Sequence, residues 1–340
     1  MTLELPPVEQ FTSSSGARIF RIPCEVFRDF MAFVHLVLDA GPPTLVDVGS
    51  GIGHSNEQIL EGLATVRDTF HVPIGVADIE RILLTHGHVD HFGGLSFFHE
   101  QTGAEVLIHQ LDRRVLTAYE ERVIVATKAL RVYLQRAGVA ADLQWQLMEM
   151  YGFSKKHVHS VAVDQTLRDG QQLDGMRVIH TPGHCPGQVC LALGDVLLSA
   201  DHVLERTTPH QAPESITPYT GLGHYLESLD KVAATGGFDL ALGGHEGPIH
   251  DVYKRLADIR QSHVRKLERT LDIVREAAGD PTIQEITQVM YSRVKGFHVL
   301  LALEEVGAHV EYLYQTGDLA VSNLDEVERD ENPALRYQVV

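Results

Sequence analysis

The sequence predicts an α/β sandwich with helices on its outer faces, followed by a small helical domain. Short apolar runs alternate with amphipathic segments between residues 17 and 109, and such alternation is typical of layered α/β folds. Helical periodicity then dominates residues 111–156 and returns over residues 252–314. We therefore expect a larger domain over residues 1–250, with a helical insertion at about 111–156, and a smaller domain over residues 251–340.

Apolar runs and their spacing define the elements of the larger domain. Helices are predicted where apolar residues recur every three or four positions, and strands where short apolar or alternating runs end at turn residues. The predicted helices cover residues 55–69, residues 95–102 and the region of residues 225–229. The predicted strands cover residues 17–22, 33–38, 44–48, 81–85, 105–109, 158–168, 176–180, 196–201 and 239–242.

The helical insertion has two interpretations. Its apolar helices could wall a substrate pocket, with Trp145 and Met148 as contacts. They could also pack on a core of their own or form a dimer contact. We favour packing, because apolar helical periodicity is first a signal of a core.

The smaller domain shows three successive helical patterns, over residues 252–278, 283–291 and 299–314. Asp280-Pro281-Thr282 precedes the second helix as a cap, and a short strand follows at residues 319–321. Three helices followed by a hairpin are a winged-helix pattern. Residues 251–340 nevertheless carry eleven Lys or Arg against sixteen Asp or Glu, a net charge of −5, which argues against a phosphate-reading role.

A histidine-rich decapeptide at residues 85–94, Thr-His-Gly-His-Val-Asp-His-Phe-Gly-Gly, carries the strongest functional signal. It places His86, His88, Asp90 and His91 within six positions, directly after an apolar run. Three imidazoles and a carboxylate in so short a turn are accounted for by a divalent cation among them. Neutral imidazole and carboxylate ligands suit zinc, iron or manganese. The decapeptide therefore predicts a metal centre.

This decapeptide resembles the hallmark His-x-His-x-Asp-His of the metallo-β-lactamase superfamily. Four further segments match the remaining motifs of that family in order: residues 44–51 ending in Asp47 and glycines, residues 181–187 with His184, residues 196–202 with Asp201, and residues 242–248 with His245. Five motifs in order are far more specific than one. The segment around residues 225–229 and the C-terminal pattern resemble glyoxalase-II-like hydrolases and the β-lactamase-like protein 2 group.

The resemblance implies an αββα fold with two metal ions at one edge. It assigns His86, His88 and His184 to the first ion, Asp90, His91 and His245 to the second, and Asp201 to a bridge between them. Asp47 would anchor the ligand loop by hydrogen bonds, and Asp90 would orient the nucleophile. His202 would either assist catalysis, by donating a proton or hydrogen bond to an oxyanion, or point away as a strand-end residue.

Composition indicates a soluble, cytoplasmic enzyme. No apolar run approaches the length of a membrane span, and the N-terminal residues lack a basic start and an apolar core. Cys24, Cys185 and Cys190 form no disulfide framework, as expected in a reducing compartment. The formal net charge of −18 weakens attraction to nucleic acids.

The sequence predicts a dinuclear metal-dependent hydrolase that attacks a thioester or ester-type carbonyl of a small molecule with a metal-bridging hydroxide. No Gly-x-Ser-x-Gly or phosphate-binding glycine loop competes with this interpretation. Zinc is the first expectation for both ions, and iron or manganese are alternatives. Three other functions stay open: a ribonuclease or phosphodiesterase, a mononuclear iron persulfide dioxygenase, and a metal-dependent regulator that uses the winged helix. A homodimer is also open.

Overall fold

The computed structural model describes residues 4–153 and 157–340, which form two compact units. The first unit contains residues up to 122, residues 157–209 and residues 228–256. The second contains residues 123–156, 210–227 and 257–340. The sequence predicted two domains that each form one continuous stretch, divided at residue 250. In the structure the second unit also includes most of the helical insertion and a segment of the predicted larger domain. Two apolar cores, one in each unit, account for this division.

A seven-stranded sheet forms one layer of the first unit. Its strands follow chain order: β1 Glu9–Thr12, β2 Arg18–Phe27, β3 Phe30–Leu38, β4 Thr44–Val46, β5 Arg81–Leu83, β6 Glu105–His109 and β7 Gln165–Leu167. Strands β1 to β4 are antiparallel, and β4 to β7 are parallel. The parallel strands therefore send the loops that follow β4, β5 and β6 to the same edge of the sheet.

A five-stranded sheet forms a second layer of the same unit. Its strands are β8 Gln172–Leu173, β9 Met176–His180, β10 Val189–Leu193, β11 Val196–Ala200 and β12 Leu240–Gly243, in the order β12-β11-β10-β9-β8. Only β11 and β12 pair in parallel. One apolar cluster joins both sheets; among its members are Ile19, Val37, Leu83, Leu107, Val178, Leu191, Leu198 and Leu242. The predicted α/β fold with packed sheets is confirmed.

Eleven α-helices occur in the described parts of the chain. They are α1 Ser55–Thr69, α2 Val89–Phe92, α3 Leu95–Thr102, α4 Arg113–Thr117, α5 Tyr119–Arg136, α6 Ala141–Phe153, α7 Leu222–Thr235, α8 Val252–Glu276, α9 Ile283–Met290, α10 Phe297–Thr316 and α11 Leu324–Arg329. Helix α1 lies close against β2, since a Cβ atom on Gly62 would come within 2.2 Å of the Ile22 side chain. None of the helices within residues 4–153 and 157–340 is both long and apolar enough to cross a membrane.

The second unit has a helical core. Its apolar cluster takes Leu130, Leu134 and Leu147 from the insertion, together with side chains of the C-terminal helices such as Leu303 and Val306. Strand β13, Leu319–Val321, pairs in antiparallel fashion with β14, Tyr337–Val339, and helix α11 lies between the two strands in the chain. This core accounts for the apolar periodicity of the insertion.

Two predictions, one in the insertion and one directly after it, differ from the structure. The side chain of Trp145, considered as a pocket contact, is 63% exposed. The expected strand over residues 158–168 forms only at Gln165–Leu167. Residues 154–156, at the end of the predicted insertion, lie outside the described residues.

Candidate metal centre

The predicted ligands lie in loops that follow strand ends of the first unit. Asp47 follows β4, His86 follows β5, Asp201 follows β11 and His245 follows β12. The backbone turns sharply at two of these ends, since Asp47 has a φ of 63° and Ala200 a φ of 45°. A left-handed conformation at non-glycine residues costs free energy and is often found at functional sites. The strand ends therefore place these side chains together.

Three imidazoles form the first group of donors. The Nδ1 atom of His88 lies 3.1 Å from Nε2 of His86 and 3.0 Å from Nε2 of His184. One nitrogen from each ring falls within 4.8 Å of the other two. His86 and His184 are buried, and His88 is half-buried. The three nitrogens therefore lie close enough together to bind one metal ion.

Asp90, His91 and His245 form the second group. Nε2 of His245 lies 3.4 Å from Oδ2 of Asp90, and Nε2 of His91 lies 3.9 Å from the same oxygen. His91 and His245 are buried, whereas the Asp90 side chain retains 15% exposure. Asp90 therefore stands on the side of the centre that reaches solvent.

Asp201 lies between the two groups. Its Oδ2 atom is 3.7 Å from Nε2 of His184 in the first group and 3.3 Å from Nε2 of His245 in the second. Its Oδ1 atom is 3.4 Å from Nε2 of His91. One carboxylate thus contacts ligands of both groups, which is the position of a shared ligand.

Asp47 holds the ligand loop from beneath. Its Oδ1 atom accepts a hydrogen bond from the Thr85 backbone N–H, and its Oδ2 atom accepts from the Thr85 hydroxyl, both at 2.8 Å. The Nδ1 atom of His91 lies 2.8 Å from the same Oδ2. A carboxylate that accepts from a ligand imidazole fixes the ring and leaves Nε2 free for the metal.

Two more imidazoles have outer partners that the sequence did not indicate. Nδ1 of His86 lies 3.0 Å from the Thr85 hydroxyl, whose proton is given to Asp47. Nδ1 of His245 lies 2.6 Å from the backbone carbonyl of Met31, on β3. Because Nδ1 donates in both rings, Nε2 carries the lone pair that faces the centre. The structure thus supplies the acceptors for these ligands.

Asp112 is a further residue that sequence reasoning missed. Its Oδ2 atom accepts from the Gly87 backbone N–H at 2.9 Å, and its Oδ1 atom accepts from the Gly187 backbone N–H at 3.0 Å. The Cys185 thiol also lies 3.4 Å from Oδ2. Burial raises the pKa of this carboxyl group, and the hydrogen bonds oppose that shift. Asp112 thus ties the loop of His86 and His88 to the loop of His184.

Close approach of the backbone explains one glycine of the last motif. A Cβ atom on Gly244 would lie 2.6 Å from Oδ1 of Asp201 and 2.6 Å from Cε1 of His91. Those separations are well below van der Waals contact. Only glycine at this position lets the loop reach the two ligands.

The charges of the centre divide its histidines into two kinds. Burial, aided by His184, lowers the pKa of His88 to about 3. Burial also acts to lower the pKa of His245, but Asp201 and Asp90 outweigh it and raise that pKa to about 10. Burial acts to raise the pKa of Asp90, yet His91 and His245 lower it to about 2. Protons on imidazoles therefore offset the carboxylates here, and a cation would replace them.

The donor set fits a divalent metal. Nε2 of His91 and Oδ1 of Asp201 are buried, and neither has a hydrogen-bond partner among the described residues. Buried polar atoms without partners are costly unless a ligand completes them. Neutral imidazole nitrogens with carboxylate oxygens are the donors that zinc, iron and manganese accept. The two orphaned atoms and the convergent nitrogens together indicate a metal-binding cluster.

Comparison with known proteins identifies the family. The profile of the metallo-beta-lactamase superfamily matches residues 28–273. The chain belongs to this superfamily. The probable metallo-hydrolase YqjP of Bacillus subtilis is 24% identical to the chain over 288 residues, which cover 79% of the chain and 84% of that protein. This superfamily member is therefore a metallo-hydrolase.

Solved structures agree with this assignment. A metallo-beta-lactamase family protein from Thermus thermophilus superposes with a TM-score of 0.75 at 26% identity, covering 95% of the chain and 98% of that protein. A beta-lactamase domain protein from Burkholderia ambifaria gives a TM-score of 0.74 at 23% identity, covering 98% of the chain and 94% of that protein. Both similarities extend over nearly the whole metallo-hydrolase chain, including its C-terminal part.

His202, the second predicted catalytic residue of this metallo-hydrolase, has a different setting from Asp90. Its side chain is completely buried, and burial lowers its pKa to about 3 despite a hydrogen bond with the Ser228 backbone. Its backbone N–H donates to the Ser199 carbonyl at 3.0 Å. The ring is thus enclosed beside Asp201, and a catalytic role for it stays a prediction.

Proposed function

We propose that this metallo-hydrolase cleaves an ester-type carbonyl, a thioester or an ester of a small acid, at a centre of two divalent metal ions. The position of Asp201 carries the proposal. Its carboxylate reaches ligand nitrogens in both groups of donors, at 3.3 to 3.7 Å. A site for one ion needs a single group, whereas this chain assembles two that share a carboxylate.

The residues of the two groups would hold the ions as the sequence motifs imply. The first group, His86, His88 and His184, presents only nitrogen, while the second, with Asp90, also presents oxygen. Zinc is the metal we propose, with iron or manganese as alternatives. When bound, a pair of such ions supplies an activated water and stabilises charge on the carbonyl oxygen.

Asp90 has the position and charge to orient the attacking water. Its side chain is the most exposed of the ligand carboxylates, and its lowered pKa of about 2 keeps it ionised at neutral pH. An ionised carboxylate accepts a hydrogen bond from water and so fixes its orientation. Asp90 would therefore align the water with the carbonyl carbon.

An exposed aromatic residue offers an apolar surface beside the centre. The Phe30 side chain, at the start of β3, is 45% exposed, and its ring lies 4.6 Å from that of His245. Apolar rings next to polar catalytic groups are typical of small-molecule sites. This surface fits the hydrocarbon part of an acyl group.

The acidic helix α10 speaks against the ribonuclease alternative. Its carboxylates bind a segment of the second unit: Nε2 of His210 lies 3.0 Å from Glu304, and Glu305 accepts from the Gln211 backbone N–H at 2.9 Å. Glu311 accepts from the Ser215 backbone N–H at 3.1 Å. These carboxylates are engaged within the second unit, and the formal net charge of −18 further weakens attraction to phosphates. We also propose that the chain belongs with the glyoxalase-II-like and β-lactamase-like protein 2 groups, with a C-terminal winged-helix domain that serves packing.

Parallel turnover assays test the proposal. Metal-replete protein is given an acyl thioester, an acyl ester and a short single-stranded RNA, with Asp201→Ala as the blank. We expect cleavage of a thioester or ester that falls at least about 100-fold in the variant, since even outer-partner changes cost 10–100-fold. Asp195→Ala, in the turn between β10 and β11, is the matched control and should keep its activity.

The contrary results are distinct. RNA cleavage with the same dependence on Asp201 would replace the acyl hydrolase by a ribonuclease. Oxygen uptake with a persulfide, at one iron per chain, would replace it by a dioxygenase. Acyl cleavage that persists in Asp201→Ala would remove the shared-ligand role.

A further inference from the structure

A second cluster of metal-type donors lies in the second unit, apart from the centre described above. It consists of His263 on α8 with Glu305 and His309 on α10. One ligand atom of each residue falls within 4.8 Å of the others, the same criterion that the groups of the first centre meet. The two histidines are at most 1% exposed and Glu305 is 7% exposed.

The tautomer of His309 favours coordination. Glu305 and His309 are four residues apart, so they lie on one face of α10. Nδ1 of His309 donates to the Glu305 backbone carbonyl at 2.6 Å, which leaves Nε2 with the lone pair. That Nε2 lies 3.1 Å from Nδ1 of His263. The distance equals the one between the ring nitrogens of His86 and His88.

The ammonium group of a lysine occupies the position that a metal ion would take beside Glu305. The Lys266 ammonium lies 2.6 Å from Oε1 of Glu305, and its side chain keeps 25% exposure. The ammonium group can therefore rotate into solvent while the aliphatic stem stays packed on the protein, because a lysine side chain adopts many conformations. Nε2 of His263 is buried with no hydrogen-bond partner among the described residues. Nδ1 of the same ring, which lies 3.1 Å from Nε2 of His309, is the nitrogen that an ion shared by the two histidines would bind.

We propose that His263, Glu305 and His309 form a second, structural metal site that takes a divalent ion of the zinc class in competition with Lys266. Two nitrogens and a carboxylate oxygen are donors of this class. The three donors are buried, and together they join α8 to α10. Binding stabilises the second unit because an ion held only by the folded form shifts the folding equilibrium. The site is independent of the proposed acyl hydrolysis.

Metal counting on the full chain tests the proposal. Wild type, His309→Gln and Lys266→Met are equilibrated with buffered zinc, and bound zinc per chain is measured by mass spectrometry of the metal. We expect wild type to hold one equivalent more than His309→Gln. Lys266→Met keeps all three donors and removes the competing charge, so its second-site affinity should rise on the order of tenfold.

Two further measurements keep the outcome clear. Cobalt substitution should give visible absorption from the second site that His309→Gln lacks, while turnover stays unchanged in all variants. If His309→Gln does not fold, the comparison of Lys266→Met with wild type decides alone. Equal zinc content in wild type, His309→Gln and Lys266→Met would show a hydrogen-bonded ion pair only and overturn the proposal.

Discussion

Asp112 shows how one residue outside the ligand set can govern the centre. It accepts backbone N–H groups from the two loops that carry His86, His88 and His184. Backbone donors that converge on a buried carboxylate fix the loops in space without touching the metal. The spacing of the three nitrogens in the first group therefore depends on this side chain.

Replacing Asp112 by Asn should weaken metal binding while leaving the fold intact. The amide keeps the shape but turns an NH₂ group toward either Gly87 or Gly187, so one loop loses its acceptor. We expect metal affinity to fall about 10–100-fold, as for other outer partners of metal ligands. Competition with a chromophoric chelator measures it, and Asp195→Asn, which loses one acceptor in a surface turn, is the control. Unchanged affinity would mean that the loops are held by other contacts.

Gly244 gives a second test at the scale of one atom. An added Cβ would lie 2.6 Å from Asp201 and His91, so Gly244→Ala must displace the shared carboxylate and a ligand of the second group. We expect at least about a tenfold loss of metal affinity and of turnover. Gly279→Ala is the matched control, because a Cβ there meets nothing within 4 Å. Equal metal content in both variants would show that the loop moves aside without cost.

At the scale of elements, the sequence best predicted the helices and strands whose apolar residues repeat at a regular spacing. Helix α1 was predicted with its observed bounds, because Ile59, Leu63 and Val66 repeat at helical spacing and are buried. Strand β10 was missed, since its short, almost wholly buried run has neither alternation nor helical period. Strand β14 lies sixteen residues beyond β13, so no turn signal linked the hairpin. Periodicity reports local burial and cannot report distant pairing.

The ligands of the centre were predictable for a different reason. Their residue types and spacing are chemical requirements of a metal and survive in the linear sequence. The outer partners of these ligands could not be predicted in the same way. The Met31 carbonyl, for example, is a backbone atom that any residue would offer. It lies 214 positions from His245. Asp112 had one usable signal, since it follows a parallel strand as Asp47 does.

The contact between His210 and helix α10 predicts a pH dependence of stability. Burial acts to lower the pKa of His210, but Glu304 and Glu305 outweigh it and raise that pKa above its usual value. A raised folded-state pKa stabilises the protein below the unfolded value and loses this contribution as pH rises through the folded value. Glu305 stays ionised throughout, as its pKa is lowered to about 2.

The free energy of unfolding should therefore fall with rising pH more steeply in wild type than in His210→Gln. Urea denaturation from about pH 6 to about pH 9 spans the window above the ordinary histidine pKa. His298→Gln, which changes a histidine of helix α10 itself, is the control. Parallel pH curves for wild type and His210→Gln would show that the imidazole is neutral in the folded protein.

At the scale of the whole molecule, the net negative charge favours small substrates over nucleic acids. The chain carries a formal net charge of −18, whereas positive charge at the centre is confined to its ligand groups and the ions they would hold. Long-range attraction to polyanions needs a basic surface. A small acyl substrate has no such need, because its recognition is confined to the centre and its rim.

This charge predicts that the full, metal-replete chain does not retain RNA. Fluorescence anisotropy of a labelled single strand should show no binding at about 50 mM salt, where counterion release favours association most, nor at about 200 mM. A basic RNA-binding domain at the same concentration is the positive control. Binding at the lower salt that weakened steeply at the higher would reveal a phosphate-contacting surface. Such binding would support the ribonuclease alternative. The RNA would then contact a surface other than the acidic face of α10.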